Sequence, residues 1–303
     1  MKHSILYFLI GFGWCSSFQV MQAAPFVPLN YTLTTIDVPG STNTFIYGIN
    51  NNDQLVGAYT DNTGAQHGFL DTNGAFTTLP FVPTGINNVG QIVGLSGNNL
   101  LLDTNGIITE IALTVLPRFD GLPYYMGDRI VKINDLGQIV GNYNDQYFGI
   151  RGFLYTNGEF TLLPAADPTY EENITAHGIN NAGQTLLTVV YEAGFGNYVY
   201  QNGQYTTRVL DCSGCAFVSG TALNNIGQAL GTNGPGTYVD TNGVVGAFSF
   251  ARDFGIDVEA SDINDLDQIV GGNALATPVP EPASLLLLAG GLAGLGLLRR
   301  TRR

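Results

Sequence analysis

The chain has 303 residues, with 24 acidic and 11 basic side chains and a formal net charge of −13. That balance excludes nucleic acid and anionic membrane surfaces as partners held by charge, because both demand a basic footprint. Charged residues make up only 12% of the chain while 40 residues are glycine, and no stretch between the two chain ends shows the spacing of an amphipathic helix.

At the N-terminal end, Lys2 and His3 precede an apolar stretch from Ile5 to Trp14, then Ser16, Ser17 and the small pair Ala23–Ala24. This order predicts a secretory signal peptide over residues 1–23, in helical form, with Pro25 favouring cleavage after Ala23. Cys15 leaves with it.

Residues 24–278 suit one domain with a sizeable core. With the five basic and one acidic residues of the two ends set aside, 23 acidic side chains there face six basic ones. Short runs of Val, Ile, Leu, Phe, Tyr and Thr alternate with clusters of Gly, Asn and Asp, the pattern of an all-β domain.

The domain repeats. One phrase recurs as INNNDQLVG at 49–57, INNVGQIVG at 86–94, INDLGQIVG at 133–141, INNAGQTLL at 179–187, LNNIGQALG at 223–231 and INDLDQIVG at 263–271. A second phrase follows each of the first five: 68–80, 100–111, 152–164, 198–210 and 237–250. Asn-Asn-x-Gly and Thr-Asn-Gly supply residues that tolerate positive φ, so each phrase predicts a hairpin. Two hairpins per repeat give four antiparallel strands, here a to d, which is the period of a β-propeller blade. The sixth first-phrase lacks a second hairpin, and residues 26–37 read as the end of a strand c and all of a strand d. The expectation is a six-bladed β-propeller with five whole repeats and one split closing blade. Closure would hide the strand edges that a linear array leaves open.

These phrases resemble the bacterial extracellular repeat family named HAF, with His67-Gly68-Phe69 approximating its triplet once. The resemblance implies an exported repeat protein and no particular reaction.

Asn50, Asn87, Asn134, Asn180, Asn224 and Asn264 hold one register, as do Gln54, Gln91, Gln138, Gln184, Gln228 and Gln268. Six amides could line a channel and bind a ligand. The structural alternative has each Asn capping its own turn and each Gln tying blade to blade. Asp71, Asp103 and Asp240 open Asp-x-Asn-Gly turns that read as Asx turns; the glutamate that an EF-hand loop requires is missing. After processing the only histidines are His67 and His177, in different registers. No triad or metal spacing emerges, so no catalytic residue, metal ligand or cofactor is assigned. Cys212 and Cys215 read as a disulfide stapling a small loop.

The repeat breaks at 113–128, 165–173 and 211–217, all between strand d and the next strand a. Longer b-to-c connections are read at 142–150 and 191–197. These connections share one face of the disc, and variable loops on a rigid scaffold are where binding residues gather. Tyr124, Tyr125 and Tyr170 there, with Arg118, Asp120, Glu171 and Glu172, suit sugar rings: apolar ring faces stack on aromatics and hydroxyls bond carboxylates. Tyr147, Phe148, Phe195 and Glu192 are read on the same face. The alternative is that the aromatics only pack the loops down.

At the C-terminal end, Pro280, Glu281 and Pro282 precede the apolar run 283–298 and the cluster Arg299, Arg300, Arg302 and Arg303. This resembles the PEP-CTERM sorting signal of Gram-negative bacteria. The resemblance implies an exported protein, handed at residues 279–303 to an exosortase-type membrane protease and then displayed at the cell surface or released. Sixteen helical residues reach about 24 Å, short of a ~30 Å hydrocarbon core, so the run reads as a marginal membrane helix. The function expected is a non-catalytic binding or structural propeller whose partner is extracellular polysaccharide. The alternative is a hydrolase or lyase using carboxylates such as Asp120, Glu171, Glu172 or Glu192.

Overall fold

The structure, a computed structural model, describes residues 27–28, 30–117, 119–121, 131–147, 149–164, 173–191, 194–210, 218–233, 236–250 and 259–279. The expected signal helix and the apolar run 283–298 lie outside them. Among the described residues no helix is long and apolar enough to cross a membrane.

Six antiparallel sheets follow one another around a ring. Blade 1 is built from Asn43–Ile49, Gln54–Thr60, Gln66–Thr72 and Ala75–Leu79, the four strands that the two hairpins of its repeat predict. In the second-phrase turns Asn73, Asn105, Asn157, Asn202 and Asn242 have φ from 49° to 55°, each followed by a positive-φ glycine. Both central residues are left-handed, as a tight two-residue hairpin turn requires.

The packing logic lies in the Gln-Ile-Val-Gly stretch of strand b. Successive side chains on a strand point to opposite faces, so its two apolar residues serve two different junctions. Ile92 packs between blades 1 and 2, Val93 between blades 2 and 3. Ile139 and Val140 do the same one junction on, and Ile269 and Val270 serve the junctions on either side of blade 6. Six separate apolar clusters result, one per junction. The glycine that follows has its own cause. A Cβ on Gly57, Gly94 or Gly271 would lie 1.9, 2.4 or 2.2 Å from a backbone carbonyl (Phe45, Val82, Glu259) of the chain entering or forming the blade's own inner strand.

Closure differs from the expectation by one strand. Blade 6 takes strands a and b from Asp262–Ile263 and Ile269–Gly271, and its strand c is Ala274–Pro278, downstream of the sixth phrase. Only strand d, Tyr31–Thr35, comes from the N-terminal side, paired antiparallel to strand c from Tyr31↔Pro278 to Thr35↔Ala274. The split is three strands plus one. Ala274-Leu275-Ala276 alternates too weakly to read as a strand from sequence, yet Ala274 and Ala276 are fully buried. Val27–Pro28 is not the end of a strand c, as expected, but runs parallel to the outer strand of blade 5.

Two further expectations change. Residues 142–150 and 191–197 are mostly strand, not loop: Ile139–Asp145 pairs with Gly149–Thr156, and Thr185–Tyr191 with Gly194–Gln201. Blades 3 and 4 are taller there. The insertion at 113–128 also does not lie wholly before strand a. Phe119–Gly121 and Lys132–Ile133 both pair with the inner edge of Ile139–Asp145, so residues 122–130 interrupt the innermost strand of blade 3.

Candidate functional site

The antiparallel order of every blade puts the a–b and c–d turns on one face of the ring, the turn face. The b–c and d–a connections occupy the other, the loop face.

On the turn face Asn50 shows the repeating unit. Its Oδ1 accepts the backbone N–H of Asn52 and of Gln54, both at 3.0 Å. Its Nδ2 donates to Gln54 Oε1 at 2.8 Å and to the backbone carbonyl of Asn87 in the next blade at 3.0 Å. Asn87, Asn134, Asn224 and Asn264 make the same bond to the carbonyls of Asn134, Asn180, Asn264 and Asn50, the last joining blade 6 to blade 1. Asparagine therefore both caps the turn and ties the blades. The glutamines have the other role than expected: Gln54 and Gln91 donate to Thr72 and Thr104 of their own blades. Only Gln228 and Gln268 are seen to reach the next blade, where they donate to Asp267 and Asp53. Those aspartates stand where other repeats have glycine, at φ 61° and 56°.

The residue after each Asn forms a second ring. The backbone N–H groups of Asn51, Asn88, Asp135, Asn181, Asn225 and Asp265 each donate to the side-chain oxygen of the next member, at 2.6 to 2.9 Å, until Asp265 reaches Asn51. The two aspartates are opposite each other. Asp135 Oδ2 accepts the amides of Asn88 and Asn181, and Asp265 Oδ2 those of Asn51 and Asn225. A ring of six asparagines would offer its amide nitrogens only oxygens that already accept a backbone N–H, and an aspartate at every third place supplies a second, uncommitted oxygen.

The residue before each Ile-Asn or Leu-Asn pair faces the axis. That column reads Gly48, Gly85, Lys132, Gly178, Ala222 and Asp262. Lys132 reaches across from blade 3 to blade 6 and sets Nζ 2.9 Å from Asp262 Oδ2. Nζ also donates to the carbonyls of Tyr47 (2.8 Å) and Ser261 (3.4 Å), and Asp262 accepts the N–H groups of Ile49 and Ile263. The axial cavity that remains is about 60 Å³, well below the ~300 Å³ at which small-molecule sites begin. Its amides and charges already have partners, so the axis is closed by structure.

His177 sits on the inner strand of blade 4, buried between blades 4 and 5. The Thr188 hydroxyl donates its one proton to Asn197 Oδ1 at 2.7 Å, so His177 Nε2, 2.8 Å from Thr188, is the donor in that pair. Burial lowers the imidazole pKa to about 4. His67 is half-exposed on the loop face. With Thr63 and the backbone of Thr63 and Ala65 it surrounds the Asp61 carboxylate, and these bonds hold that group well below the ordinary carboxylate range. Asp71, Asp103 and Asp240 each accept the N–H of the turn glycine at 2.7 Å, as Asx turns do. Among the described residues no three His, Cys, Asp or Glu side chains converge.

Of the loop-face residues read from sequence, Asp120 is exposed on Phe119–Gly121, within the inner strand of blade 3. Tyr147 is exposed at the b–c turn of blade 3, and Phe195 lies in strand c of blade 4 rather than in a loop. Arg118, Tyr124, Tyr125, Phe148, Tyr170, Glu171, Glu172 and Glu192 lie outside the described residues, as do Cys212, Cys215, Pro280, Glu281 and Pro282. Of the two described flanks, Gly121, on the innermost strand of blade 3, pairs with Asn144, and Val131 is buried in the cluster between blades 2 and 3. The strand ends also add a connection that the sequence reading passed over: Phe250 to Ser261, between blades 5 and 6 on the same face. The Lys132–Asp262 pair was missed as well, although the column before Ile-Asn shows opposite charges three repeats apart.

Residues 278–303 match the PEP-CTERM protein-sorting motif, the mark of an exported protein. No curated protein sequence is significantly similar to the chain. Similar solved structures include the six-bladed, fucose-recognising lectin of Aleuria aurantia, at 10% identity and TM-score 0.45, covering 82% of this chain and 99% of the lectin. Virginiamycin B lyase from Staphylococcus aureus is similar at 12% identity and TM-score 0.41, covering 82% and 100%. YCF48 from Cyanidioschyzon merolae is similar at 12% and 0.43, covering 82% and 98%. At these values the likeness concerns the path of the chain and not its chemistry.

Proposed function

We propose that this is an exported bacterial surface protein whose propeller, residues 24–278, binds extracellular polysaccharide through its loop face without catalysing a reaction. Residues 1–23 direct export. Residues 279–303 hold the protein transiently in the inner membrane until an exosortase-type protease acts near Pro280-Glu281-Pro282. The observation that carries the binding reading is the contrast between the faces. The turn face repeats sixfold and spends its amides on its own rings, while departures from the repeat fall between strands d and a or, at 122–130, within the innermost strand of blade 3.

In this reading Tyr124 and Tyr125 stack on sugar rings. Arg118, Asp120, Tyr170, Glu171 and Glu172 bond hydroxyls, and a Cys212–Cys215 disulfide staples the loop between blades 4 and 5. The test is glycan-array binding of residues 24–278 beside a glycosidase and lyase screen. Binding without turnover is expected. Truncating a stacked tyrosine to alanine should cost about 1–3 kcal/mol of affinity with unchanged folding. Turnover that falls with Asp120 or Glu171 variants would replace binding by catalysis as the function.

A further inference from the structure

We propose that the turn face is the side turned toward the membrane while the protein is anchored, so that the loop face points outward; this rests on reading residues 279–303 as a membrane anchor. The direction of one strand decides it. Ala274–Pro278 starts at the Gly272–Asn273 turn on the loop face and ends at Pro278 on the turn face. Its antiparallel partner Tyr31–Thr35 begins there too, and the Val279 N–H donates to the Asn30 carbonyl at 3.0 Å. The chain therefore leaves the propeller from the turn face.

The tether is short. Only residues 279–282 separate Pro278 from Ala283, the first residue of the apolar run. Five Cα steps of at most ~3.6 Å reach about 18 Å, comparable to the ~15 Å width of a four-stranded blade at ~4.8 Å per strand. A propeller held that closely has little room to turn over.

The turn face is also chemically suited to a lipid interface. The tips of its a–b turns carry Val89, Leu136, Ile226 and Leu266, which are 62, 69, 57 and 53% exposed around the closed axis. None of the hairpin turns there contains Lys or Arg, and the a–b turns alone carry Asp53, Asp135, Asp265 and Asp267. Attraction to anionic headgroups is thus not what orients the disc. The tether sets the orientation, and the aliphatic tips meet the interface.

Thiol accessibility in the full chain tests this. The protein, carrying Cys212→Ser and Cys215→Ser, is expressed in a Gram-negative host without an exosortase, so that the tail stays attached. Leu136→Cys and Leu266→Cys report the turn face. Val115→Cys, 69% exposed like Leu136, reports the loop face. In spheroplasts a bulky maleimide should label Val115→Cys at the rate seen in detergent, and both turn-face variants several-fold more slowly than in detergent. Equal labelling of the two faces in membrane-pelleted protein overturns the orientation and leaves the anchor standing. Recovery of the protein in the soluble fraction overturns the anchor and the orientation with it. Protection that appears only when an exosortase is co-expressed assigns the face to the protease instead of the bilayer, and also overturns the proposal.

Discussion

Lys132 Nζ and Asp262 Oδ2 are 2.9 Å apart although the two residues stand on blades opposite each other across the ring. Glycine or alanine at the four other axial positions leaves the path between them open. The pair is buried, and removing one partner strands the other charge, a loss of about 3–5 kcal/mol in comparable cases. Lys132→Met should therefore destabilise the propeller by about that much in urea unfolding. The double variant Lys132→Met/Asp262→Ala should lose less than the single one, because no unpaired carboxylate remains. A double variant that loses the sum of the two single losses would show the charges to be uncoupled.

Asp135→Asn is a sharper test, because asparagine is the residue at this position in four of the six blades. Repeat consensus favours the change. The hydrogen bonds oppose it: Asp135 Oδ2 accepts from Asn88 and Asn181, and an amide nitrogen there would face two other donors. Bonds to a charged acceptor contribute about 1.5–3 kcal/mol each when buried, and this half-buried site sits at the lower end, so a net loss of about 1–3 kcal/mol is expected. A thermal midpoint at or above that of the parent would mean that the aspartates are not placed to receive these amides.

His177 sets an acid limit on stability. Its pKa is about 4 in the folded protein and near 6.5 when unfolded. Between those values the unfolded chain binds more protons than the folded one, so stability falls as pH falls. The contribution is fully present above about pH 6.5 and is lost progressively down to about pH 4, on the order of 2–4 kcal/mol in total. Threonine occupies the same place in blades 2 and 5 as Thr84 and Thr221, so His177→Thr fits the strand. Urea midpoints at pH 4.5 and 7.5 should differ clearly less in that variant than in the parent.

How much of this was legible in the sequence depended on whether a residue's role repeats. Blade number, the four strands of blade 1 and the turn asparagines follow from phrases that recur with fixed spacing. Strand Ala274–Pro278 did not, because two alanines bury themselves in the closing blade without an apolar run to announce them. That asparagine ties the blades as well as capping its own turn was hidden too. Both residue types recur equally, and only geometry shows that the shorter amide reaches the neighbouring carbonyl while most glutamines stay at home. The Lys132–Asp262 pair was visible only by reading down a column of the repeats, since the partners are 130 residues apart and meet solely because the ring closes. The loop face is located by topology, from the described ends of the strands that its connections join.

The last strand gives the final prediction. Ala274 and Ala276 belong to the apolar cluster between blades 5 and 6, and Tyr31 and Leu33 of the outer strand pack against it. Strand c of blade 6 is thus the link through which the N-terminal strand is held. Removing residues 280–303 leaves every described strand in place, and among the described residues the last backbone bond is the one from Val279 to Asn30. A chain ending at Val279 should keep the melting temperature of the full protein, as the proposed proteolysis near the Pro-Glu-Pro box requires if the released product is to stay folded. A chain ending at Asn273 loses strand c, leaves Tyr31–Thr35 without a partner and exposes the edge of Ile269–Gly271. It should unfold at a markedly lower temperature and aggregate, as open strand edges do. Differential scanning fluorimetry with light scattering on the two truncations separates these outcomes. Equal melting of both would mean that the ring does not depend on its three-plus-one closure.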